Sequence, residues 1–410
     1  MPHRRLLAAE AALGEALLRG YAGPPLPPLP HPDTPAPTSP ADLQDLWQLI
    51  NQIPCQPRPL SGLKSTLSLA RGSLFEKLAD QYPALAGDSP PPPGFEEVHA
   101  PAAEPGATPL VAFCHPPAPG FPLLFLVHGL FDSKRAGYVL LAARGLAQAG
   151  FGVVLPDLRW HGRNLPGCGM PTLGLVESGE LRAWAREMAR RYPGHPLGLV
   201  GFSLGAMVVV HSLATDEAHD FLLGGVAISP AADLTATLRF IDETSLAARP
   251  LGRGLMPLVL RLGLARRLRA LGLPVARRRP FRALLELFSE SWGGSQSLLV
   301  AADTRAALRR VAQPLLVVAG DNDPMFPPET AAVLEHAAAD NPWVHVRRLP
   351  YGGHVGCLAT DPRWTINVLT SFFFASARLP QPGESSARKP APAARTPRAG
   401  FDPSGAGEMD

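Results

Sequence analysis

Cysteine is scarce in this chain: Cys55, Cys114, Cys168 and Cys357 are the only four, with no C-x-x-C pair and no metal-ligand spacing among them. That pattern argues against a disulfide framework and against zinc, and predicts free thiols in a reducing, cytoplasmic compartment. Long apolar runs are missing too, since no uncharged stretch reaches the ~18 residues that a membrane-crossing helix requires. Arg4-Arg5 followed by Leu6-Leu7-Ala8-Ala9 begins like an export signal, but Glu10 and Glu15 interrupt it, so a helix over Arg4 to Arg19 is expected instead. Neither charge sign dominates: the formal net charge is +3, too small to predict a nucleic-acid partner.

Proline is the opposite case. Forty-eight prolines in 410 residues are too many for one compact α/β body, and their clustering divides the chain. Residues 1–94 read as N-terminal helices with proline-rich linkers. Gly23-Pro-Pro-Leu-Pro-Pro-Leu-Pro30 favours extended polyproline II and serves most simply as a spacer, although its P-x-x-P spacing could also dock in an aromatic groove. Leu43, Leu46, Trp47, Leu49 and Ile50 recur on helical spacing after Ser39-Pro-Ala-Asp, and Leu63 to Leu85 continues in that style. Pro90 to Pro93 and Gly94 make a second stop. At the other end, residues 379–410 are rich in Ala, Pro, Arg and Ser with almost no large apolar side chains, a composition expected to stay disordered.

Between these ends, residues 95–378 alternate strand-like and helical runs. Phe95 to Ala100 and Leu110 to His115 read as an edge hairpin. Phe121 to Val127, Phe151 to Leu155, Leu197 to Val200, Leu222 to Ile228, Pro314 to Ala319 and Trp343 to Leu349 read as buried strands, completing eight. Helical periodicity separates them at Tyr138 to Ala149, Glu177 to Tyr192, Glu329 to Ala339 and Trp364 to Ala377. The alternation predicts an α/β fold with a mostly parallel eight-stranded sheet and helices on both faces.

One pentapeptide anchors the chemistry. Gly201-Phe202-Ser203-Leu204-Gly205 lies where a strand hands over to a helix, and G-x-S-x-G has a mechanical reason there: a serine on so tight a turn needs small residues two before and two after it. The turn raises the serine oxygen above the sheet. It also leaves the Leu204 amide at a helix N-terminus, where an oxyanion can form.

Further landmarks stand at successive strand ends: His128-Gly129, Asp157-Leu-Arg159-Trp-His161-Gly162, Gly320-Asp-Asn-Asp323-Pro324 and Gly352-Gly-His354. With these motifs in this order, Phe95 to Arg378 resembles the α/β-hydrolase superfamily, and His128-Gly-Leu-Phe-Asp-Ser-Lys134 and Gly352-Gly-His-Val-Gly356 are similar to its esterase and lipase-like branches, including the YheT-like hydrolases. The resemblance implies Ser203 as nucleophile, His354 as general base and Asp323 as the carboxylate that orients the base. Asp321, two residues earlier, and Asp233, after the sixth strand, remain alternative acids. It also implies a second oxyanion donor in the Leu130 amide, with Phe131 as the next candidate, and a bracing role for His128. Trp160 and Asn164 depart from the common D-x-R-G-H-G-x-S form of their turn, and Asp157 and Arg159 are expected to make a structural ion pair.

The resemblance also implies a helical cap insertion at about 234–312. Arg249 to Arg282 holds ten arginines and no Asp, Glu or Lys, interleaved with leucines. One account is a solvated basic face over a leucine face packed on the body; the other is a lid that meets anionic membrane headgroups or an acidic substrate. The expected function is a serine hydrolase of carboxylic esters, lipid or acyl esters among them, working through an acyl-enzyme on a small-molecule substrate without metal or cofactor. Thioester hydrolysis, acyl transfer with the same triad, and a non-catalytic scaffold on this fold stay open as alternatives.

Overall fold

The computed structural model describes residues 40–53, 90–100, 110–130, 132–164, 171–243, 285, 289, 294–323, 325–355 and 357–377. The expected helices at Arg4 to Arg19 and Leu63 to Leu85, the whole arginine-rich stretch from Arg249 to Arg282 and the C-terminal tail lie outside them, as do Cys55, Phe131 and Cys168.

All eight expected strands form: β1 (Glu96–His99), β2 (Val111–His115), β3 (Leu123–Val127), β4 (Gly152–Pro156), β5 (Leu197–Phe202), β6 (Leu222–Ile228), β7 (Leu315–Gly320) and β8 (Val344–Leu349). They make one sheet in the order β1-β2-β4-β3-β5-β6-β7-β8. β1 and β2 pair antiparallel as the edge hairpin, β2 runs antiparallel to β4, and every later pair is parallel. The helices are α1 (Pro40–Gln52), α2 (Gly137–Gln148), α3 (Leu175–Arg191), α4 (Leu204–Leu213), α5 (Leu234–Glu243), α6 (Ser295–Ala301), α7 (Thr304–Leu308), α8 (Thr330–Ala338), α9 (Cys357–Thr360) and α10 (Pro362–Ser376). The last begins two residues before the apolar run that predicted it. Asp361 caps it by accepting from the Trp364 amide at 2.9 Å, with Pro362 at the first helical position, where a missing N–H costs nothing.

Side chains alternate along each strand, so each strand feeds two cores. Leu123, Phe125, Leu199, Leu315 and Val317 pack beneath α3, α4 and α8. Leu124, Leu126, Val200, Val226 and Leu316 pack on the other face with α2 and α10, and Leu43, Leu46 and Ile50 of α1 are buried in that same cluster beside Phe372 and Phe373. Trp47 stacks on His345 with ring centroids 5.2 Å apart, and Trp364 donates to the Ile53 carbonyl at 3.3 Å. Among the described residues no helix is long and apolar enough to cross a membrane.

Connectivity fixes where a ligand can sit. From β3 the chain moves one way in the sheet to β4 and then back past it to β5, so β3 and β5 are neighbours whose following connections leave toward opposite faces. This reversal opens a crevice at the C-terminal ends of the two strands. Val127 is in register with Gly201 and Phe202 with Ile228, which brings the residues after β3, β5 and β6 into one row.

Candidate active site

Ser203 follows β5 with φ 56° and ψ −115°, a backbone conformation that costs about 1–3 kcal/mol for a residue with a side chain. Its surroundings hold it there. The Ser203 amide donates to the Ile228 carbonyl at 2.9 Å, and its own carbonyl accepts from the Ala206 amide at 3.0 Å to start α4. The flanking glycines are required by space: a β-carbon at Gly201 would overlap the Gly205 carbonyl oxygen, and one at Gly205 would overlap the Val127 carbonyl oxygen. The turn therefore tolerates no larger residue without shifting α4 away from β5 or β3.

His354 is carried in by the loop after β8. Its Nε2 lies 2.9 Å from Ser203 Oγ, and its Nδ1 lies 2.8 Å from Asp323 Oδ2. Facing a carboxylate, Nδ1 carries the proton, which leaves Nε2 as an acceptor for the serine hydroxyl. Asp323 is fixed in turn, because its other oxygen accepts from the Met325 amide at 2.8 Å. Its side chain is 7% exposed, and that of His354 is 17% exposed. Such an arrangement can take a proton from the serine hydroxyl while a buried carboxylate balances the charge on the ring.

The alternative acids are engaged elsewhere. Asp321 pairs with Arg348 at 3.0 Å on the surface. Asp233 pairs with Arg305 at 3.0 Å and accepts from the Ala236 amide in the first turn of α5.

Four residues around this group were not singled out by any motif. Asn322, between the two aspartates, accepts through Oδ1 from the amides of Gly352 and Gly353 at 2.9 and 2.7 Å, tying the β7 turn to the His354 loop. Ser229, at the end of β6, accepts through its hydroxyl from the Val355 amide at 3.1 Å and so holds the other side of that loop. Phe326 meets the His354 ring edge-on with centroids 4.9 Å apart. Tyr138 accepts from the Gly129 amide at 2.8 Å and donates to Asp132 at 3.0 Å. Asn322 lies inside the Gly320 to Pro324 motif without a role assigned to it there, and the other three lie in no spacing pattern that distinguishes them from ordinary turn or helix residues.

His128 is fully buried, and its partners settle its tautomer. The Leu158 amide donates to Nε2 at 3.1 Å, so Nδ1 holds the hydrogen and donates to the Gly129 carbonyl at 2.8 Å. Burial lowers its pKa, more than the nearby Asp157 raises it, and keeps the ring neutral. Asp157 and Arg159 both enter ion pairs, but not with each other as the sequence suggested. Asp157 takes the buried Lys134, through its ammonium group and also its backbone amide at 2.8 Å, while Arg159 takes Glu180. Burial would raise the Asp157 pKa, but Lys134, by its charge and its hydrogen bonds, holds it below the usual carboxylate value. Asn164 closes the same turn by donating to the Asp157 carbonyl at 2.6 Å. Leu204 is buried at the head of α4, Leu130 is half-buried one residue past Gly129, and among the described residues no His, Cys, Asp and Glu cluster could hold a metal ion.

With the sheet order and this constellation in view, comparison with known proteins is direct. Residues 124–368, more than half of the chain, match the family described as the alpha/beta hydrolase family, and the chain belongs to that family. It is similar to a Synechocystis sp. protein named "Putative esterase slr0264", 25% identical over 275 residues that cover 58% of this chain and 71% of that one. Among solved structures it is similar to the Pyrococcus furiosus esterase Pf2001, with a TM-score of 0.49 and 20% identity over 68% of this chain and 91% of the other. Est1E from Butyrivibrio proteoclasticus gives a TM-score of 0.43 and 15% identity over 67% of this chain and 95% of its own.

Proposed function

We propose that this protein is a serine hydrolase that cleaves carboxylic esters through an acyl-enzyme. The single observation that supports it most is the continuous chain from Ser203 Oγ through His354 to Asp323, with contacts of 2.9 and 2.8 Å. In this reading Ser203 attacks the ester carbonyl as His354 Nε2 takes its proton, and Asp323 holds the imidazolium that forms. The tetrahedral oxyanion lies against the amides of Leu204 and Leu130. The first N–H groups of a helix have no acceptor within the helix, which suits Leu204 to the role. The Gly129 amide is committed to Tyr138, which leaves the next amide in the loop, Leu130, to complete the pair. Collapse of the intermediate returns the proton from His354 to the leaving alcohol, and water then repeats the sequence on the acyl-enzyme. Similarity to a relative named as an esterase agrees with an ester substrate. Thioester hydrolysis and acyl transfer would use the same groups with a different leaving group or acceptor.

Labelling with a fluorophosphonate probe tests the reading. The full chain is expected to take the label, and Ser203→Ala to lose it together with at least ~10³-fold of its p-nitrophenyl acetate turnover. A folded wild type that stays unlabelled would instead support a scaffold that keeps the fold without the chemistry.

A further inference from the structure

Five residues other than glycine have positive φ among the described residues: Trp160, Leu173, Ser203, Ser229 and Val355. Three belong to the frame already described, since Ser203 is the elbow and Ser229 and Val355 bond each other beside His354. The remaining two are large apolar side chains at φ 62° and 57°, and they need a separate reason.

Turn geometry does not supply it. A glycine adopts positive φ without steric cost, and each turn already uses one: Gly162 at φ 52° stands two residues after Trp160, and Gly174 at φ 106° directly follows Leu173. The chain thus places a bulky side chain where a glycine would be less strained. Both positions are also fastened from the first turns of α3. Glu180 binds Arg159, next to Trp160. Glu177 accepts from the amides of Thr172 and Gly174, at 2.8 and 3.1 Å, on either side of Leu173. Strain persists where the surroundings over-determine it, and its usual place is a ligand-binding surface.

Their surroundings indicate which surface. Trp160 is 4% exposed and Leu173 8%, and both belong to one apolar cluster that also contains Met207 from the first turn of α4, Met325 and Phe326 from the Asp323 turn, and Leu234 of α5. Leu130 packs against that cluster. A β-carbon at Gly174 would stand 3.3 Å from the Met207 backbone, so the Leu173 turn lies directly on the elbow helix. On the His354 side the frame is polar, made of Asp323, Asn322 and the Gly352-Gly353 amides. The apolar shell reaches the Ser203 and His354 pair through Phe326, whose ring meets that of His354, through Met207, one turn of α4 after Ser203, and through Leu130.

We infer that Trp160, backed by Leu173, is the wall that limits the length of the acyl chain carried on Ser203, so that the protein favours esters of short acids. The inference rests on the reading of Ser203 as the nucleophile, and the test separates the two. Full-length wild type, Trp160→Gly, Trp160→Phe and Leu173→Ala would be compared on p-nitrophenyl esters from acetate to dodecanoate. A second series would hold the acid at acetate and lengthen the alcohol. Trp160→Gly removes the wall and relieves the strained φ together. Its kcat/KM for the longest acyl esters relative to acetate is expected to rise by at least ~10-fold, with the alcohol series unchanged. Trp160→Phe and Leu173→Ala should shift the acyl profile the same way but less far, and they decide the matter by the same criteria if the glycine variant does not fold. An unaltered acyl profile, a shift confined to the alcohol series or an equal loss on every ester in a labelled wild-type background would overturn the wall. A wild type that neither takes fluorophosphonate nor hydrolyses any ester overturns the hydrolase reading, and the wall with it.

Discussion

At the scale of single residues, three carboxylates compete for one role, and their partners separate them. Asp323 alone contacts the His354 ring, whereas Asp321 and Asp233 neutralise Arg348 and Arg305. Replacing Asp323 by Asn leaves the shape but presents an amide to Nδ1, which favours the wrong tautomer; kcat is expected to fall by about 10³ to 10⁴-fold. Asp321→Asn and Asp233→Asn should stay within a few-fold of wild type in the same ester assay. Equal losses for all three would remove Asp323 from its assigned place. Asn322 gives a second check at this scale. Its Oδ1 is the acceptor for two amides of the His354 loop, so Asn322→Ala should lower kcat as well as cost about 1 to 3 kcal/mol of unfolding free energy, and a loss of stability without loss of rate would contradict the positioning role.

At the scale of elements, what the sequence made legible was what hydrophobic periodicity and strand-end motifs can carry. The central strands follow from apolar runs of the right length, because burial on both faces leaves no room for polar interruptions, whereas the two outermost, β1 and β8, carry polar and partly exposed residues. Pairings across the chain were not legible. Asp157 and Arg159 are neighbours in one turn and read as partners, yet Lys134 and Glu180, brought in by other segments, take them. Ser229 and Tyr138 carry no spacing signal because one hydroxyl in a turn or a helix looks like any other until the loop it holds is seen. The opening of α3 is a related case. Glu177, 1% exposed, accepts from the Thr172 amide, the Thr172 hydroxyl and the Gly174 amide, and so fixes the segment before the helix as well as its first turn. Glu177→Ala would leave those donors buried without an acceptor, at an expected cost of about 2 to 4 kcal/mol of unfolding free energy in urea titrations. A change below about 0.5 kcal/mol would mean that the cap is dispensable.

At the scale of the whole molecule, stability should depend on pH through histidines that the fold keeps neutral. His211 lies inside α4, 5% exposed, with Nε2 3.3 Å from the Ala302 carbonyl. Burial pushes its pKa from 6.5 down to about 4, with Arg310 acting in the same direction and the Ala302 carbonyl and Asp303 opposing. The unfolded chain therefore binds a proton near pH 6.5 that the folded chain refuses until about pH 4. Stability from this group is complete above that window and is lost as pH falls through it, by up to about 3 kcal/mol. His128, also lowered by burial, adds in the same sense. The Asp157 carboxylate contributes nothing to this slope, since its pKa is depressed below the ordinary carboxylate range and its stabilisation is lost only at lower pH. The urea midpoint should drop between pH 7 and pH 4.5, and His211→Gln should drop less; parallel profiles would remove His211 as a cause.

The stretch by which the family is recognised is shorter than the stretch that folds. Residues 124–368 begin one residue inside β3 and stop before Phe372 and Phe373, which are fully buried, and they omit β1, β2 and α1. A chain trimmed to those limits would keep Ser203, Asp323 and His354 in sequence. It would also expose the apolar bed on which Leu43, Leu46 and Ile50 rest, and leave β4 with a free edge where β2 had paired. An open edge strand beside bare hydrophobic surface invites other copies to pair with it. Expressed alone, the recognisable part should therefore precipitate, and the residues that cover this surface are ones that no catalytic motif would pick out.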